Sequence, residues 1–370
     1  MTSTQKISKL DRLYSDEGGF DFVGRSKLWY GITVGLLVLS LAAILIRGFS
    51  MSIDFEGGTK LNLPARDLDP VAVEQVFADA TGVQPELVQV VGAGSAATLE
   101  IDSQLLSQDQ VDAARLAIYE EFQPVDEQGK PSPDAVGTST VSESWGSTIT
   151  KRMVISMLVF LALATAYVAF RLRREMAIAA ILALIADGVI IGGIYALFGL
   201  EVSPAVIIGL LTVLTFSIYD SVIVFDKVNE NTEGITGQRK YTYGEQANLA
   251  INQTVMRSIS TSVISALPII ALFVVAVWMM GIGTLRDLAI IQLIGVIEGI
   301  FSSLFLASPL VVTLMNRRKN IKEHNQLVAA FRSGKESALG AETKTAAEAE
   351  TKRTVETPHT TTGATWRPGR

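Results

Sequence analysis

Residues 204–225 read PAVIIGLLTVLTFSIYDSVIVF, an apolar stretch long enough to cross a bilayer as a single helix. Near its end the stretch carries Asp220, and Asp226 follows it directly. Placing an ionisable side chain at membrane depth costs roughly 2.5–3.5 kcal/mol on insertion scales, and proteins tolerate that cost mainly inside a helix bundle or along a water-filled path. The stretch therefore predicts an integral membrane protein with a functional site at Asp220.

Five further apolar stretches indicate that the whole chain is organised around a membrane. The 370 residues are 49% hydrophobic and only 18% charged, which is unusual for a soluble protein. Each of the other stretches also reaches the ~17–25 residues that a transmembrane helix needs, at 28–46, 153–170, 176–198, 259–280 and 287–314. The sequence predicts six transmembrane helices. The first is interpreted as an uncleaved anchor, because its apolar core is longer than that of a typical signal peptide.

Basic residues beside the apolar stretches predict the orientation in the membrane. They cluster on one side of a six-span topology: Arg25 and Lys27; Arg171, Arg173 and Arg174; Lys227, Arg239, Lys240 and Arg257; Arg317, Arg318 and Lys319. Because positive charges favour the cytoplasmic side, both termini are predicted to be cytoplasmic. The predicted organisation is a cytoplasmic N-terminus (1–27), a first helix (28–46), an extracytoplasmic domain (47–151), a five-helix bundle (152–316) with a cytoplasmic loop (227–258), and a disordered cytoplasmic tail (317–370).

The segment between the first two apolar stretches predicts a small α+β domain. Strands are expected at 59–63, 86–91, 97–101 and 138–145, and helices at 69–80 and 107–122. The first helix opens with Asp69-Pro70, and the second opens with a capping-box pattern from Ser107 to Gln110. The order β-α-β-β-α-β is typical of a ferredoxin-like unit with split βαβ topology.

Two more carboxylates lie within the predicted spans, Asp187 in the third and Glu298 in the sixth. Desolvation disfavours a charged carboxylate and a nearby cation favours it, so Asp220 could load and release a proton between conformations. The alternative is a helix-packing Asp bonded to a neighbouring Ser or Thr. Asp187 has the same two interpretations, and Glu298 lies between Gly295 and Gly299 in a close-packing pattern.

Several other polar residues have both a functional and a structural interpretation. Arg257, at the start of the fifth span, is the natural counter-charge for Asp220, but it could equally be a positive-inside flank or a snorkelling side chain. Asp226 is expected at the membrane surface, either as an exposed carboxylate at the helix end or as a functional residue. Asp54, Gly57 and Gly58 follow the first span and are expected to form a turn at the membrane edge.

Composition and motifs also exclude several classes of function. The chain has no cysteine, which excludes disulfides and thiol chemistry, and its only histidines, His324 and His359, lie in or near the tail. It has no phosphate-binding loop, metal-ligand spacing or nucleophile constellation. We therefore predict a protein that is not an enzyme, has no cofactor or metal and binds no nucleic acid, with membrane lipids as its surroundings.

The motifs together resemble the SecF branch of the SecD/SecF protein-export family, in the resistance-nodulation-division superfamily. The resemblance covers about 28–316 and rests on Asp54-Phe55-Glu56-Gly57-Gly58, on the run from Ser217 through Asp220 and Asp226 to Asn231, on Ala250-Ile251-Asn252-Gln253-Thr254 with Arg257, and on Ser302-Ser303 through Ala307-Ser308-Pro309. Two positions depart from the family pattern: Ala186 stands where a His is frequent, and Glu298 stands where a small or apolar residue is usual.

The resemblance implies a subunit of the bacterial inner (plasma) membrane that pairs with SecD and uses the proton motive force. It would promote preprotein translocation through, and release from, the SecYEG translocon, with SecA and YajC as further partners. In the family, the residues matching Asp220 and Arg257 are implicated in proton transfer. The alternatives are a proton-coupled exporter of lipid or small molecules from the same superfamily, and a non-transporting scaffold of the translocon.

Overall fold

The structure is a computed structural model that describes residues 19–65, 68–126, 129–280 and 282–333. Six helices in the described part of the chain are long and apolar enough to cross a membrane. They are α1 (Ser26–Arg47), α5 (Glu143–Arg171), α6 (Arg174–Phe198), α7 (Pro204–Asn231), α8 (Tyr243–Leu272) with a π-helical turn (Phe273–Met279), and α9 (Gly283–Phe301) continued by a π-helical segment (Ser302–Ala307) and α10 (Ser308–Met315). The prediction of six membrane-spanning helices is confirmed.

The α+β domain lies between α1 and α5 and has the predicted ferredoxin-like order. Its elements are β2 (Gly58–Pro64), α3 (Pro70–Thr81), β3 (Leu87–Val91), β4 (Thr98–Ser103), α4 (Gln108–Phe122) and β5 (Gly137–Val141). The sheet order is β3-β4-β2-β5, and every neighbouring pair is antiparallel. The two helices cover one face of this sheet, where Leu61, Leu99 and Ile101 pack with Phe77 and Ile118 in a core that excludes solvent completely.

Helix caps fix most of the domain's boundaries, and one of them corrects the prediction for the last strand. The Asp69 side chain accepts the Val71 N–H, and Ser107 and Gln110 form the expected capping box. The strand expected over 138–145 ends at Val141, because the Ser142 side chain accepts the Trp145 N–H and starts α5. The helix of the second span therefore begins about ten residues before the apolar stretch.

The junction between α1 and the domain contains the Asp54–Gly58 motif. Residues Ser50–Met51 (β1) pair in parallel with Glu201–Val202 (β6), the connection between α6 and α7, and a short helix α2 (Ile53–Glu56) follows. Gly57 has φ 84° and its missing Cβ would lie 2.8 Å from the Glu143 backbone nitrogen, so only glycine fits against the start of α5. The motif forms the expected turn, with one added turn of helix.

In the membrane bundle, α6 and α7 are about half buried, whereas the α5 window is only 6% buried and the α1 and α8 windows are each 17% buried. Glycines bring the central helices together: a Cβ on Gly295 would overlap the Val213 side chain, and one on Gly193 would overlap Ser40. The bundle thus has a close-packed centre and leaves large apolar helix faces open at its edge.

The cytoplasmic loop is shorter than its expected bounds, and the segment expected as a disordered tail contains a helix. The loop expected at 227–258 is shorter, because α7 continues to Asn231 and α8 begins at Tyr243. The tail expected to be disordered from 317 starts with a helix, α11 (Lys319–Arg332), whose Ile321, His324 and Val328 are buried. The remainder of that tail, with His359, lies outside the described residues, as do residues 1–18 of the predicted N-terminal segment.

Among the described residues, helix α11 belongs to a compact unit of its own, formed by 234–243 and 316–333. A His324 ring nitrogen lies 3.0 Å from the Tyr241 carbonyl oxygen, Tyr243 donates its N–H to Asn325 (3.1 Å), and Arg332 donates to the Lys240 carbonyl (2.7 Å). These polar contacts and the apolar stripe explain why a segment of low mean hydropathy is ordered.

Candidate functional site

Asp220 lies on α7 inside the bundle, and its side chain is held by two hydroxyl groups from two other helices. The residue is 2% exposed. Ser258 on α8 donates to Oδ1 at 2.6 Å, and Ser303 in the π-helical segment donates to Oδ2. Each carboxyl oxygen therefore accepts one hydroxyl hydrogen bond, and no cation contacts the group among the described residues.

Asp187 forms a second site of the same design on α6. The residue is fully buried. Ser217 on α7 donates to Oδ2 and Ser302 donates to Oδ1, both at 2.5 Å. The sequence left open whether Asp187 hydrogen-bonds structurally or carries a proton, and the geometry is compatible with both.

The π-helical segment Ser302–Ala307 connects these two sites. Its first two residues are consecutive serines, and each binds a different carboxylate. The Ser308 hydroxyl donates to the Ser303 carbonyl at 2.6 Å, across the wide turn. Short π segments inside α-helices are frequent at functional sites, because the inserted residue re-aims the side chains around it. Asp187 and Asp220 are thus joined through one short segment of the sixth span.

Glu298 lies one turn before this segment and faces the same interior. It is 8% exposed, and its carboxyl group is next to that of Asp187. The three membrane carboxyls of the sequence analysis therefore belong to one connected group of side chains.

Arg257 is not paired with Asp220 in this structure, so its role in proton transfer stays a prediction. Its side chain is exposed, and no ion pair joins it to Asp220 among the residues described. The adjacent Ser258 faces inward in its place, because consecutive residues of a helix point about 100° apart.

The remaining motif residues make contacts that are structural. Asp226 is 42% exposed in its side chain and pairs with Arg171 of α5 at 2.8 Å. Asn231 donates to Gln253 at 2.9 Å, which ties the end of α7 to α8.

Asn252 fixes the segment before α1. Its side-chain oxygen accepts the N–H groups of Gly19 and Phe20, both at 2.9 Å, and its NH₂ group donates to the Phe20 carbonyl at 2.8 Å. Asn252 therefore replaces backbone partners that this non-helical segment lacks.

A second polar cluster lies where the α+β domain meets β6, and the sequence analysis did not identify it. The Lys60 amine is 3.3 Å from Asp102 and 3.8 Å from both Glu100 and Glu201. Arg286 at the start of α9 donates to the Gln89 side chain at 3.0 Å. The only sequence signal was a lysine in an alternating strand, which is usually a solvated residue.

Burial controls protonation in this cluster. It raises the pKa of Asp102 to about 6 and that of Glu201 to about 7, because the attraction of Lys60 only partly offsets the cost of desolvating each carboxylate. Burial by itself would lower the pKa of the Lys60 amine, but the three carboxylates raise it above its ordinary value. The lysine therefore stays charged while two of its partners titrate near neutral pH.

Comparison with known proteins finds strong similarity to one family. The family described as "Protein export membrane protein SecD/SecF, C-terminal" matches residues 123–317. The protein translocase subunit SecF of Mycobacterium tuberculosis (strain ATCC 25618 / H37Rv) is 48% identical over 326 residues, which are 88% of this chain and 74% of that protein. SecF of Streptomyces coelicolor is 34% identical over 87% of this chain and 84% of its own length.

Solved structures agree with these sequence matches. The crystal structure of SecDF from Thermus thermophilus, described as a translocon-associated membrane protein, superposes with a TM-score of 0.68 at 30% identity. The alignment covers 80% of this chain and 39% of that one, so this chain corresponds to less than half of the SecDF polypeptide. A super-membrane-facing form of SecDF gives a TM-score of 0.58 over 85% of this chain and 43% of the other.

Proposed function

Because the chain belongs to the SecD/SecF family of protein-export membrane proteins and is a SecF-type subunit, we propose that it works with SecD to harness the proton motive force. In this proposal the subunit promotes translocation of preproteins through SecYEG and their release from it. The observation that carries the proposal is the buried Asp220, a carboxylate held inside the bundle by hydroxyl groups alone.

Protonation of Asp220 would change the contacts between three helices. An ionised carboxylate only accepts hydrogen bonds, whereas a protonated one also donates. Ser258 and Ser303 both donate to Asp220, so the arriving proton adds an O–H donor that needs an acceptor, which either hydroxyl oxygen can supply by turning. Ser303 lies in the π-helical segment, a type of turn that is frequent at functional sites.

The same helix provides a route from Asp220 to the α+β domain. Helix α7 starts at Pro204, directly after β6, and β6 carries Glu201, the membrane-side partner of Lys60. A shift of α7 would therefore reach the sheet through a partly buried ion pair of 3.8 Å. One elementary charge crossing 100 mV supplies about 2.3 kcal/mol, which is comparable to the strength of such a contact.

Partners and location follow from the same premise. We place the protein in a bacterial plasma membrane with the α+β domain outside and both ends of the six-span unit inside, in agreement with the basic residues flanking the helices. We expect SecD to pack against the open face of α8, where Arg257 is exposed. SecYEG and the preprotein complete the working assembly, with SecA and YajC as further partners.

The test is export of a secretory preprotein by membranes containing this chain and SecD, measured with and without a protonophore. Asp220→Asn is expected to abolish the part of export that the protonophore removes, while the variant still copurifies with SecD. Asp226→Asn is the matched control, because it changes the same chemical group on the same helix at an exposed position.

Protonophore-sensitive export that persists in Asp220→Asn would refute the proton-driven mechanism. Export that is insensitive to the protonophore even in the wild type would instead indicate a scaffold role, since the subunit would then act without the gradient.

A further inference from the structure

Glu298 is a buried carboxyl that the proposed function does not use. It lies in the middle of the sixth span at 8% exposure, so more than nine-tenths of the residue is removed from solvent. Its Oε2 atom is buried and has no hydrogen-bond partner among the described residues. A buried acceptor left in this way costs about 1–3 kcal/mol, and more if the group is charged, so the residue needs an explanation.

The contact between Glu298 and Asp187 supplies one. Asp187 already accepts two serine hydroxyls, one on each oxygen, and so behaves as the ionised partner. Glu298 lies beside it, because Glu298 is one helical turn before Ser302, whose hydroxyl binds Asp187. Two carboxyl groups can share a hydrogen bond only if one of them carries a proton, because ionised carboxylates are acceptors only. The proton therefore belongs to Glu298, which donates to Asp187.

The described residues around Glu298 include no cation that could take the place of that proton. The residue lines a cavity of about 450 Å³ between α1, α6 and α9, whose other lining residues are apolar except for Ser40. Helix α6 lines it with Ile190, Gly193, Ile194 and Leu197, and α1 lines it with Leu36, Leu39 and Ser40. On α9 itself the nearest charged residue in sequence is Asp287, eleven residues away or roughly 16 Å along the axis. Asp220 is the next charged group along these contacts, and Ser302 and Ser303 separate it from the Glu298–Asp187 pair.

We propose that Glu298 and Asp187 form a second proton-binding site, in which one proton is held between two carboxyl groups of the third and sixth spans. Loading the site gives an acid–carboxylate pair with a single negative charge, and losing the proton leaves two adjacent anions with no cation beside them. The site is separate from Asp220, but Ser302 at this site and Ser303 at Asp220 are consecutive residues, which gives the two sites a direct structural link. Its use in transport rests on the proposed function, whereas its existence as a proton site does not.

The experiment is infrared difference spectroscopy of the full chain with SecD in lipid nanodiscs, at a pH where exposed carboxyls are ionised. A protonated carboxyl has a C=O stretching band that an ionised one lacks, and the band shifts in D₂O. Glu298→Gln is expected to remove one such band, and Asp187→Asn to shift it, because the acceptor changes from an anion to a neutral amide. Asp220→Asn is expected to leave this band in place.

Isotope labelling provides a second arm that requires no substitution. In the wild-type chain, ¹³C-labelled glutamate is expected to shift the band and ¹³C-labelled aspartate to leave it, which identifies the proton's owner even if Glu298→Gln does not fold. A wild-type spectrum without a glutamate band overturns the proposal, as does a band that survives in folded Glu298→Gln. If the glutamate band is present but export does not depend on the proton gradient, the proposed function is refuted and the second proton-binding site is retained.

Discussion

Replacing Lys60 by Met tests how the α+β domain is held to the membrane bundle. The lysine joins Asp102 and Glu100 of the sheet to Glu201 of β6, at distances of 3.3–3.8 Å, with 19% of its side chain exposed. Methionine keeps most of the apolar stem and removes the charge. Breaking a fully buried ion pair by deleting one partner costs about 3–5 kcal/mol. The partial exposure of Lys60 and its longer contacts reduce this cost, so we expect Lys60→Met to lower the free energy of unfolding by about 2 kcal/mol.

The cost should depend on pH with a definite sign. The folded-state pKa values of Asp102 and Glu201, about 6 and about 7, lie above their ordinary values of 3.8 and 4.5. The folded state therefore binds these protons more tightly than the unfolded state does, and stability is lost as pH rises through 6–7. Without Lys60 both pKa values rise further. Lys60→Met should thus be most damaging near pH 8 and least damaging near pH 5, where both carboxyls are protonated.

Hydrogen exchange at the junction measures this effect directly. The Ser52 N–H donates to the Val202 carbonyl at 3.0 Å, next to Glu201. A loss of 2 kcal/mol is expected to speed its exchange about 30-fold relative to wild type at pH 8, and far less at pH 5. Arg115→Met is the control, since it deletes an ion pair with an 88% exposed Asp134 in the same domain and should cost under about 1 kcal/mol. Equal acceleration at both pH values would refute the reasoning.

Three further substitutions test the packing and the polar contacts. Gly295→Ala places a methyl group against Val213, so overpacking should cost about 1–3 kcal/mol and lower the melting temperature in detergent; an unchanged melting temperature would contradict the close approach of α7 and α9. Ser303→Ala removes one of the two donors to Asp220 and should reduce protonophore-sensitive export about tenfold with SecD binding intact, whereas full export would show that the hydroxyl is dispensable. Phe77→Ala empties the centre of the domain core and should cost about 3–5 kcal/mol in denaturant unfolding; a cost below 1 kcal/mol would mean that the site is not tightly packed.

Local chemistry was sufficient to predict most of the architecture. Apolar length gave the six spans, and the caps at Asp69 and Ser107 placed the domain's two helices, because each cap satisfies backbone donors that have no other partner. At the end of the domain a cap of the same kind was overlooked, and the last strand was predicted too long. The alternating pattern over 138–145 resembles a strand, but the Ser142 side chain caps a helix, so the strand ends and the helix begins there.

Two features were missed where the outcome depends on which way a helix faces. Arg257 and Ser258 are adjacent, and the sequence does not state which of them points inward, so Ser258 was not identified as a partner of Asp220. In α11 the apolar residues Ile321 and Val328 are two turns apart among charged neighbours. That stripe is too narrow to raise the mean hydropathy, and an ordered helix therefore resembled a disordered tail.

The hydroxyl partners of the membrane carboxylates show why a site is harder to predict than its most conspicuous residue. A carboxylate in an apolar span is visible because it is costly, but serine is tolerated almost anywhere in a transmembrane helix, so nothing singles out Ser302 and Ser303 among the others. Their selection depends on the π-helical backbone, which aims consecutive hydroxyls at Asp187 and at Asp220. A proton arriving at either carboxyl must therefore be accommodated by the same few residues. The π-helical segment therefore links the two carboxyls, and a change in its two hydroxyl contacts is the expected way for protonation at one site to affect the other.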